Sequence, residues 1–444
     1  MRVLLVYPKI INDIYIGEDM FFGEPLGLEY VAAAIIRDHE VKLLDMRVED
    51  RLEETLRDFK PELVGFSVLT AAVNTTKHYS KLVKEIIPET VTLVGGHHPT
   101  ICPEDFDYEA IDVVSIGEGV GTMKELMEFM TGNRELSEIK GIAYRQEGKL
   151  IYNAPRPYPD LDSVPFPDRT LTAKYRHLYF NTGLKPIASL RTSKGCPYRC
   201  KFCCVWKDAG GKYYTREPEK IVEEIRTIPE PYIFLADDES FIDAKRMETL
   251  AELITKADLG KKFFSYIRAD TVVKNKELMR KWKEAGLVKV LIGVESCREK
   301  DLQEWKKKNT TSVNEEAIAF MNEIGIAVCI SFIVSQDYEE EDFTKVADYV
   351  KGLKVSDVVA TILTPLPGTD LYDESKDKLL INNYDYFDCA HTVLPTKLSL
   401  KKFYTQYAHL LMKVSPNMLG SATTEQMNLY MDMYNKVRKA YINY

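Results

Sequence analysis

The sequence predicts an α/β protein made of an open parallel sheet, a partial (β/α)6 barrel of the TIM type and a helical C-terminal region. Three observations predict it. Short apolar runs alternate with helical patterns in two separate stretches, before residue 135 and again between 186 and 363. A proline-rich segment divides them, and beyond residue 380 only helical patterns remain. Alternation at this spacing is the signature of parallel strands joined by crossover helices.

In the first stretch Val3–Tyr7, Val41–Asp45, Leu63–Ser67, Val91–Val94 and Val113–Ile116 read as buried strands. Leu26–Arg37, Asp50–Phe59, Asn74–Ile87 and Val120–Met130 read as the helices between them. Ligands of such sheets sit beyond the carboxyl ends of the strands. Between Pro155 and Pro167 five prolines fall within 13 residues, interleaved with Asp160 and Asp162. This composition makes a semi-rigid linker or strap.

In the second stretch the strands are Ile187–Thr192, Tyr232–Ala236, Phe263–Ile267, Lys289–Gly293, Ala327–Val334 and Val358–Leu363. The helices are Pro218–Arg226, Asp243–Thr255, Lys274–Ala285, Asn314–Ile324 and Glu341–Gly352. Six strands suit an incomplete barrel, whose chemistry belongs at the C-terminal strand ends. Leu398–Lys413 and Glu425–Tyr441 are the strongest C-terminal helices. The expected organisation is 1–140, a linker or strap over 141–185, a barrel over 186–375 and a helical region over 376–444.

The chain has 444 residues, 45% hydrophobic and 29% charged, with a formal charge of -9. The acidic balance, without a Lys/Arg block, argues against nucleic acid as a partner. No apolar run reaches the roughly 18 residues of a membrane span, and Met1–Pro8 lacks a signal-peptide pattern. The expected location is the cytoplasm.

Four of the eight cysteines cluster: Cys196, Cys200, Cys203 and Cys204. In a reducing compartment clustered thiols favour metal or redox work over disulfides. Structural zinc takes four ligands, usually from two separated pairs, and no second pair is present. The Cys-x3-Cys-x2-Cys spacing with only thiolates favours a 4Fe-4S cluster with one open coordination position. Cys204, adjacent to Cys203, is read as a bystander.

Gly195-Cys196-Pro197-Tyr198-Arg199-Cys200-Lys201-Phe202-Cys203 resembles the signature of radical S-adenosylmethionine (SAM) enzymes. Phe234–Phe241, Tyr266–Asp270, Ile292–Ser296 and Thr364–Thr369 resemble the second, third, fourth and sixth strand ends of that family's barrel. The resemblance implies that the three cysteines hold the cluster and that the open iron chelates SAM, the source of a 5′-deoxyadenosyl radical. It places Phe202 near the adenine and makes Asp238, Arg268, Glu295 and Ser296 candidates for SAM's polar groups. Arg268 and Glu295 read alternatively as a simple ion pair. Where members often carry Gly-x-Pro after the fifth strand, this chain has Val334-Ser335-Gln336-Asp337.

In the first stretch, Pro25–Glu29, Gly65–Thr70, Val94–Thr100 and Ile116–Gly119 stand where strands should end. Gly95 and Gly96 offer no side chain to block a flat ligand. Glycines at four successive strand ends favour a ligand site over simple turns. These segments resemble the Rossmann-like (flavodoxin-like) cobalamin-binding domain that precedes many radical SAM barrels. The resemblance implies corrinoid contacts from Leu26, Ser67, Leu69, Thr70, Gly95, Gly96, His98, Gly117 and Glu118. The Asp-x-His-x-x-Gly motif that supplies a cobalt-ligating histidine is absent. His97 and His98 are therefore expected to touch corrin side chains, or in the case of His97 solvent, rather than cobalt. No Gly-x-Gly-x-x-Gly follows the first strand, which counts against a dinucleotide. The loop Ile10–Gly23 is expected at the interface between corrinoid and barrel.

Together these resemblances imply a C-methyltransferase that moves a methyl group from SAM through methylcobalamin to an unactivated carbon, with flavodoxin or ferredoxin as electron donor. A non-methylating cyclase or oxidative enzyme of the same subclass is the alternative, and a corrinoid carrier or sensor is a reading of another class. The substrate, whether peptide or protein, lipid or natural product, is not readable. Tyr404, Tyr407, Leu410, Leu411 and Met412 are expected to be helix core.

Overall fold

The computed structural model describes residues 1–10 and 20–414, together with Met431 and Asn435. The expected helix Glu425–Tyr441 and the middle of the loop Ile10–Gly23 lie outside the described residues.

The first sheet has seven strands: β1 (Arg2–Tyr7), β2 (Glu40–Asp45), β3 (Leu63–Ser67), β4 (Val91–Gly95), β5 (Val113–Ser115), β6 (Ile142–Gln146) and β7 (Lys149–Tyr152). Their order is 2-1-3-4-5-6-7. The first five run parallel and β6 and β7 antiparallel. The 2-1-3-4-5 core is the flavodoxin-like order, whose ligand crevice opens where β1 separates from β3. Val3–Val6 are fully buried because helices cover both faces of the sheet. The β6–β7 hairpin was not foreseen. It turns at Glu147-Gly148, both with positive φ, and its outer strand is largely exposed, so it lacks the continuous apolar run that marked the others.

The second sheet contains β8 (Ile187–Leu190), β9 (Tyr232–Leu235), β10 (Lys262–Ile267), β11 (Leu287–Glu295), β12 (Ala327–Val334) and β13 (Asp357–Ile362), parallel and in sequential order. Its helices begin on recognisable caps. The Asp243 carboxylate accepts from the backbone of Arg246 at 3.0 Å, and the Thr310 hydroxyl from that of Val313 at 3.3 Å. The helix Leu400–Val414 packs on the outside of the barrel, with Tyr404, Tyr407, Leu410 and Leu411 buried and Met412 half-buried. The Tyr407 hydroxyl donates to the carbonyl of Ala360 at 2.7 Å. This helix is core, as its apolar face demands.

The strap runs between the two sheets and is riveted by buried charges. Glu24 accepts from the backbone of Ser189 at 2.5 Å and pairs with Arg176 at 2.5 Å. Arg169 pairs with Glu224 at 2.9 Å, and Arg176 also binds Glu230. Glu29 accepts from the Thr172 hydroxyl at 2.5 Å. Two acids of the first unit, two arginines of the strap and two acids of the barrel thus form one buried network, in which breaking a single pair would be costly.

Candidate functional site

The cysteine loop follows β8 and needs a glycine to start. Gly195 has φ +93°, and a Cβ built there would overlap the carbonyl oxygen of Lys212. Its N–H donates to Asp238 at 2.7 Å. The loop is held further by Lys201, whose N–H donates to Trp305 at 2.9 Å and whose carbonyl accepts from Leu371 at 3.0 Å. Phe202 packs edge-on against Trp305. Burial pushes the Cys196 thiol up to about 11 and that of Cys203 higher still. Such thiols shed their protons only to a bound cation.

Arg268 lies beside this loop. Its guanidinium stacks on Tyr198 at 3.6 Å, pairs with Asp270 at 2.8 Å, donates to the carbonyl of Lys307 at 2.8 Å and reaches Cys200 Sγ at 4.0 Å. The expected alternative pairing with Glu295 does not occur. Glu295 instead binds Lys307 at 2.7 Å, both buried, and accepts from Ser331 at 3.2 Å. Glu295 has φ +64°, a strained conformation for a residue with a side chain. A Cβ on Gly293 would press on the ends of this pair, so glycine there leaves room for it. The Ser296 hydroxyl is taken up by Asp301 at 2.6 Å and by the N–H of Arg298. Asp238 is directed to Gly195 and to Lys194 at 3.7 Å. The Gln336 amide fills the loop after β12 by donating to the carbonyl of Leu363 at 2.6 Å.

Two residues here were missed from sequence. Glu239 is fully buried. One carboxylate oxygen accepts from the N–H of Arg268 at 2.8 Å, the other has no partner, and burial pushes its pKa up to about 7. Lys307 is the middle of three consecutive lysines, which read as a solvated run, yet only its neighbours face outward. No pattern in the sequence singles it out.

A cavity of about 350 Å³ lies between the first sheet and the barrel. Leu26, Ser67, Gly95, Gly96, Gly117 and Glu118, six of the nine residues expected to touch a corrinoid, line it. Leu69 faces a different cavity, and Thr70 and His98 are absent from the wall. His98 is buried with Thr70 at 3.1 Å and Asp105 at 3.0 Å on its two ring nitrogens. His97, in contrast, lines the cavity and is held on both nitrogens, by Asp208 at 2.7 Å and by Cys204 Sγ at 3.0 Å. From the barrel side come Arg191, Lys194, Asp208, Ala236 and Asp238. Arg191 pairs with Glu118 at 3.2 Å and lies over the Tyr30 ring. Tyr158 brings the strap to the cavity and stacks on Tyr214.

Four buried polar atoms of residues that line this cavity have no partner: Tyr30 Oη, Ser115 Oγ, Arg191 Nε and Asp208 Oδ1. Unsatisfied groups of this kind mark a place where a polar ligand completes the bonding. A Cβ on Gly95 would stand 3.3 Å from Ser115, and one on Gly96 3.0 Å from the N of Val68, so side chains there would narrow the cradle. The wall fits a large flat ligand with polar edges.

A second cavity, of about 390 Å³, is lined both by the barrel and by the first unit. Leu26 and Ala236 line both cavities and mark where they meet.

An open flavodoxin-like sheet facing a six-stranded barrel with a three-thiol loop defines a corrinoid-binding radical enzyme. Residues 13–127 match the B12 binding domain and residues 190–350 the radical SAM superfamily. The chain is 33% identical to the hopanoid C-3 methylase of Methylococcus capsulatus over 91% of this chain and 78% of that protein. It is 28% identical to the anaerobic magnesium-protoporphyrin IX monomethyl ester cyclase of Rubrivivax gelatinosus over 78% of this chain and 64% of that protein. The fold superposes with a TM-score of 0.73 on the radical SAM methyltransferase TsrM of Kitasatospora setae, solved with cobalamin and a [4Fe-4S] cluster bound. That match has 17% identity and covers 99% of both chains. The chain belongs to the cobalamin-dependent radical SAM methyltransferase family, whose cofactors are a 4Fe-4S cluster, SAM and cobalamin. Among the described residues no helix is long and apolar enough to cross a membrane.

Proposed function

We propose that the chain transfers a methyl group derived from SAM to an unactivated carbon of a molecule held in the second cavity. The observation that carries this reading is the shared wall: Leu26 and Ala236 border both cavities, so a substrate can face the corrinoid directly. In this reading Cys196, Cys200 and Cys203 hold the cluster. Phe202, Arg268, Glu239 and Glu295 surround SAM, the free carboxylate oxygen of Glu239 suiting its ammonium group. Ser67, Ser115, Gly95, Gly96, Gly117 and Glu118 cradle the corrinoid.

When bound, these cofactors supply a carbon-centred radical and a transferable methyl group. The chain's own residues orient them and keep water out. Both nitrogens of His97 are committed to barrel residues, which supports a corrinoid without a protein imidazole on cobalt. The relative named hopanoid C-3 methylase supports carbon methylation, and the relative named as a cyclase supports a second reading in which no methyl is transferred. Turnover with SAM deuterated in its methyl group, with reduced flavodoxin as electron source, separates them. Labelled product, with S-adenosylhomocysteine and 5′-deoxyadenosine formed together, is the expected result. Unlabelled product overturns the methyl-transfer reading.

A further inference from the structure

Three side chains with metal-ligating atoms meet outside both cavities. His98, Cys102 and Asp105 follow one another by four and three residues, along the short helix His97–Ile101 and the turn Pro103–Phe106. Helical residues at that spacing are neighbours on one face. One ligating atom of each lies within 4.8 Å of the other two. None of the three lines either cavity.

The histidine is set for coordination. Its ring meets those of Phe106 and Tyr384 edge-on, at 5.8 and 5.0 Å. Nδ1 is 3.1 Å from the Thr70 hydroxyl, which fixes the ring and leaves Nε2 turned to Asp105 at 3.0 Å. A histidine held by a hydrogen bond on one nitrogen and offering the other is the usual arrangement of a metal ligand. Asp105 is held in turn by the Tyr384 hydroxyl, which donates to its carboxylate. These bonds leave Cys102 unexplained: its half-buried thiol has no hydrogen-bond partner among the described residues.

The spacing fits a tetrahedral ion. Two donors each about 2.0 Å from such an ion lie about 3.3 Å apart, and a sulfur and a nitrogen about 3.5 Å. Nε2 and Asp105 Oδ2 already stand at 3.0 Å, and the thiol is close enough to complete the set by a small side-chain shift. A thiolate and a carboxylate with a neutral imidazole cancel the two charges of a divalent cation. The sulfur argues against calcium and magnesium, which take oxygen, and a mixed sulfur, nitrogen and oxygen set suits zinc. The Asp105 side chain is 27% exposed, which leaves the cluster open to water on one side. Tyr384 belongs to the segment after the barrel, and the neighbouring Asn383 accepts from Asn74 at 2.7 Å. The cluster therefore lies at a joint between the first unit and that segment.

We propose that His98, Cys102 and Asp105 bind one zinc ion, with water as the fourth ligand. Binding releases the thiol proton to solvent, and no other bond changes.

The test is zinc-edge X-ray absorption and equilibrium dialysis of the enzyme reconstituted with cluster and cobalamin and given one equivalent of zinc. The expected shell is one sulfur at about 2.3 Å and three nitrogen or oxygen atoms at about 2.0 Å. Cys102→Ser is expected to remove the sulfur from that shell and to weaken zinc binding at least about tenfold; Asp105→Asn should weaken it by a similar factor with the sulfur retained. Iron and cobalamin contents equal to those of the wild type report that each variant is intact. Should Cys102→Ser fail to fold, the wild-type spectrum and Asp105→Asn carry the test. A shell of three sulfurs places zinc on the cluster cysteines, and a shell without sulfur makes it an adventitious ion only; either overturns the site. So does zinc that is lost on dialysis, or an affinity unchanged in either variant. Neither readout involves turnover, so the result is independent of the methyl-transfer reading.

Discussion

His97, on the turn after the fourth strand of the first sheet, stands with Nε2 3.0 Å from Sγ of Cys204, the residue that follows the third cysteine of the cluster loop. Its other nitrogen meets Asp208 at 2.7 Å, at the end of the short helix after that loop. The two halves of the site are thereby joined by one side chain. Cys204 is thus assigned a partner outside the cluster. Cys204→Ala should load iron like the wild type, whereas Cys203→Ala should lose the visible iron–sulfur absorption. Failure of Cys204→Ala to load iron would make it a ligand after all.

Removing the histidine leaves Asp208 buried on the cavity wall without its main partner. His97→Ala should weaken hydroxocobalamin binding by about tenfold, as expected for one buried charge-assisted contact. Equilibrium dialysis measures it. Unchanged affinity would show that the contact serves the domain interface alone.

Gly195 cannot carry a side chain. Gly195→Ala combines a positive φ with overlap on the Lys212 carbonyl, at a cost of roughly 1–3 kcal/mol from backbone strain alone. The variant should assemble its cluster poorly while the first sheet still binds corrinoid. Normal iron and sulfide content would contradict this.

Gly95 lies against Ser115 in the wall of the first cavity, the proposed corrinoid cradle. Gly95→Val should reduce corrinoid affinity by at least about tenfold with little change in helical content by circular dichroism. Full affinity in this variant would move the corrinoid away from the ends of the fourth and fifth strands.

Glu29 gives a pH signature. Burial, aided by Glu24, holds its pKa well above the ordinary 4.5. For a carboxyl whose folded value exceeds its unfolded one, the stabilising contribution is fully present below the unfolded value and is lost as pH rises through the folded one. The thermal midpoint of the wild type relative to Glu29→Gln should therefore fall as pH rises from about 4.5 toward the alkaline side. Parallel pH profiles for the two proteins would refute the assignment.

The parallel strands were legible because burial on both faces forces continuous apolar runs such as Leu4-Leu5-Val6 and Phe332-Ile333-Val334. The outer hairpin strand Lys149–Tyr152 is mostly exposed and carries no such run. The glycines at the strand ends stood out because a tight turn or a cavity wall permits few substitutes, and Gly95, Gly96 and Gly117 do line the first cavity. Lys307 and Glu239 did not stand out: each matters through burial beside partners distant in sequence, and burial of a charged side chain leaves no periodicity. His98 was preferred to His97 because the motif spans both, and only the direction of the turn after Gly96 decides which ring meets the cavity.

The two cavities have walls drawn from different parts of the chain, the first mainly from the first unit and the second from the first unit and the barrel in nearly equal shares, with Leu26 and Ala236 in common. Replacements at Tyr266, Leu291, Cys329 or Val359 would remodel the second chamber without touching the wall of the first. A lineage built on this plan can acquire new compounds to modify by changing a handful of inward barrel positions, inheriting its cofactor apparatus intact. The same partition offers a route for redesign, in which selectivity is varied at those four positions and corrinoid affinity serves as an unchanging internal standard.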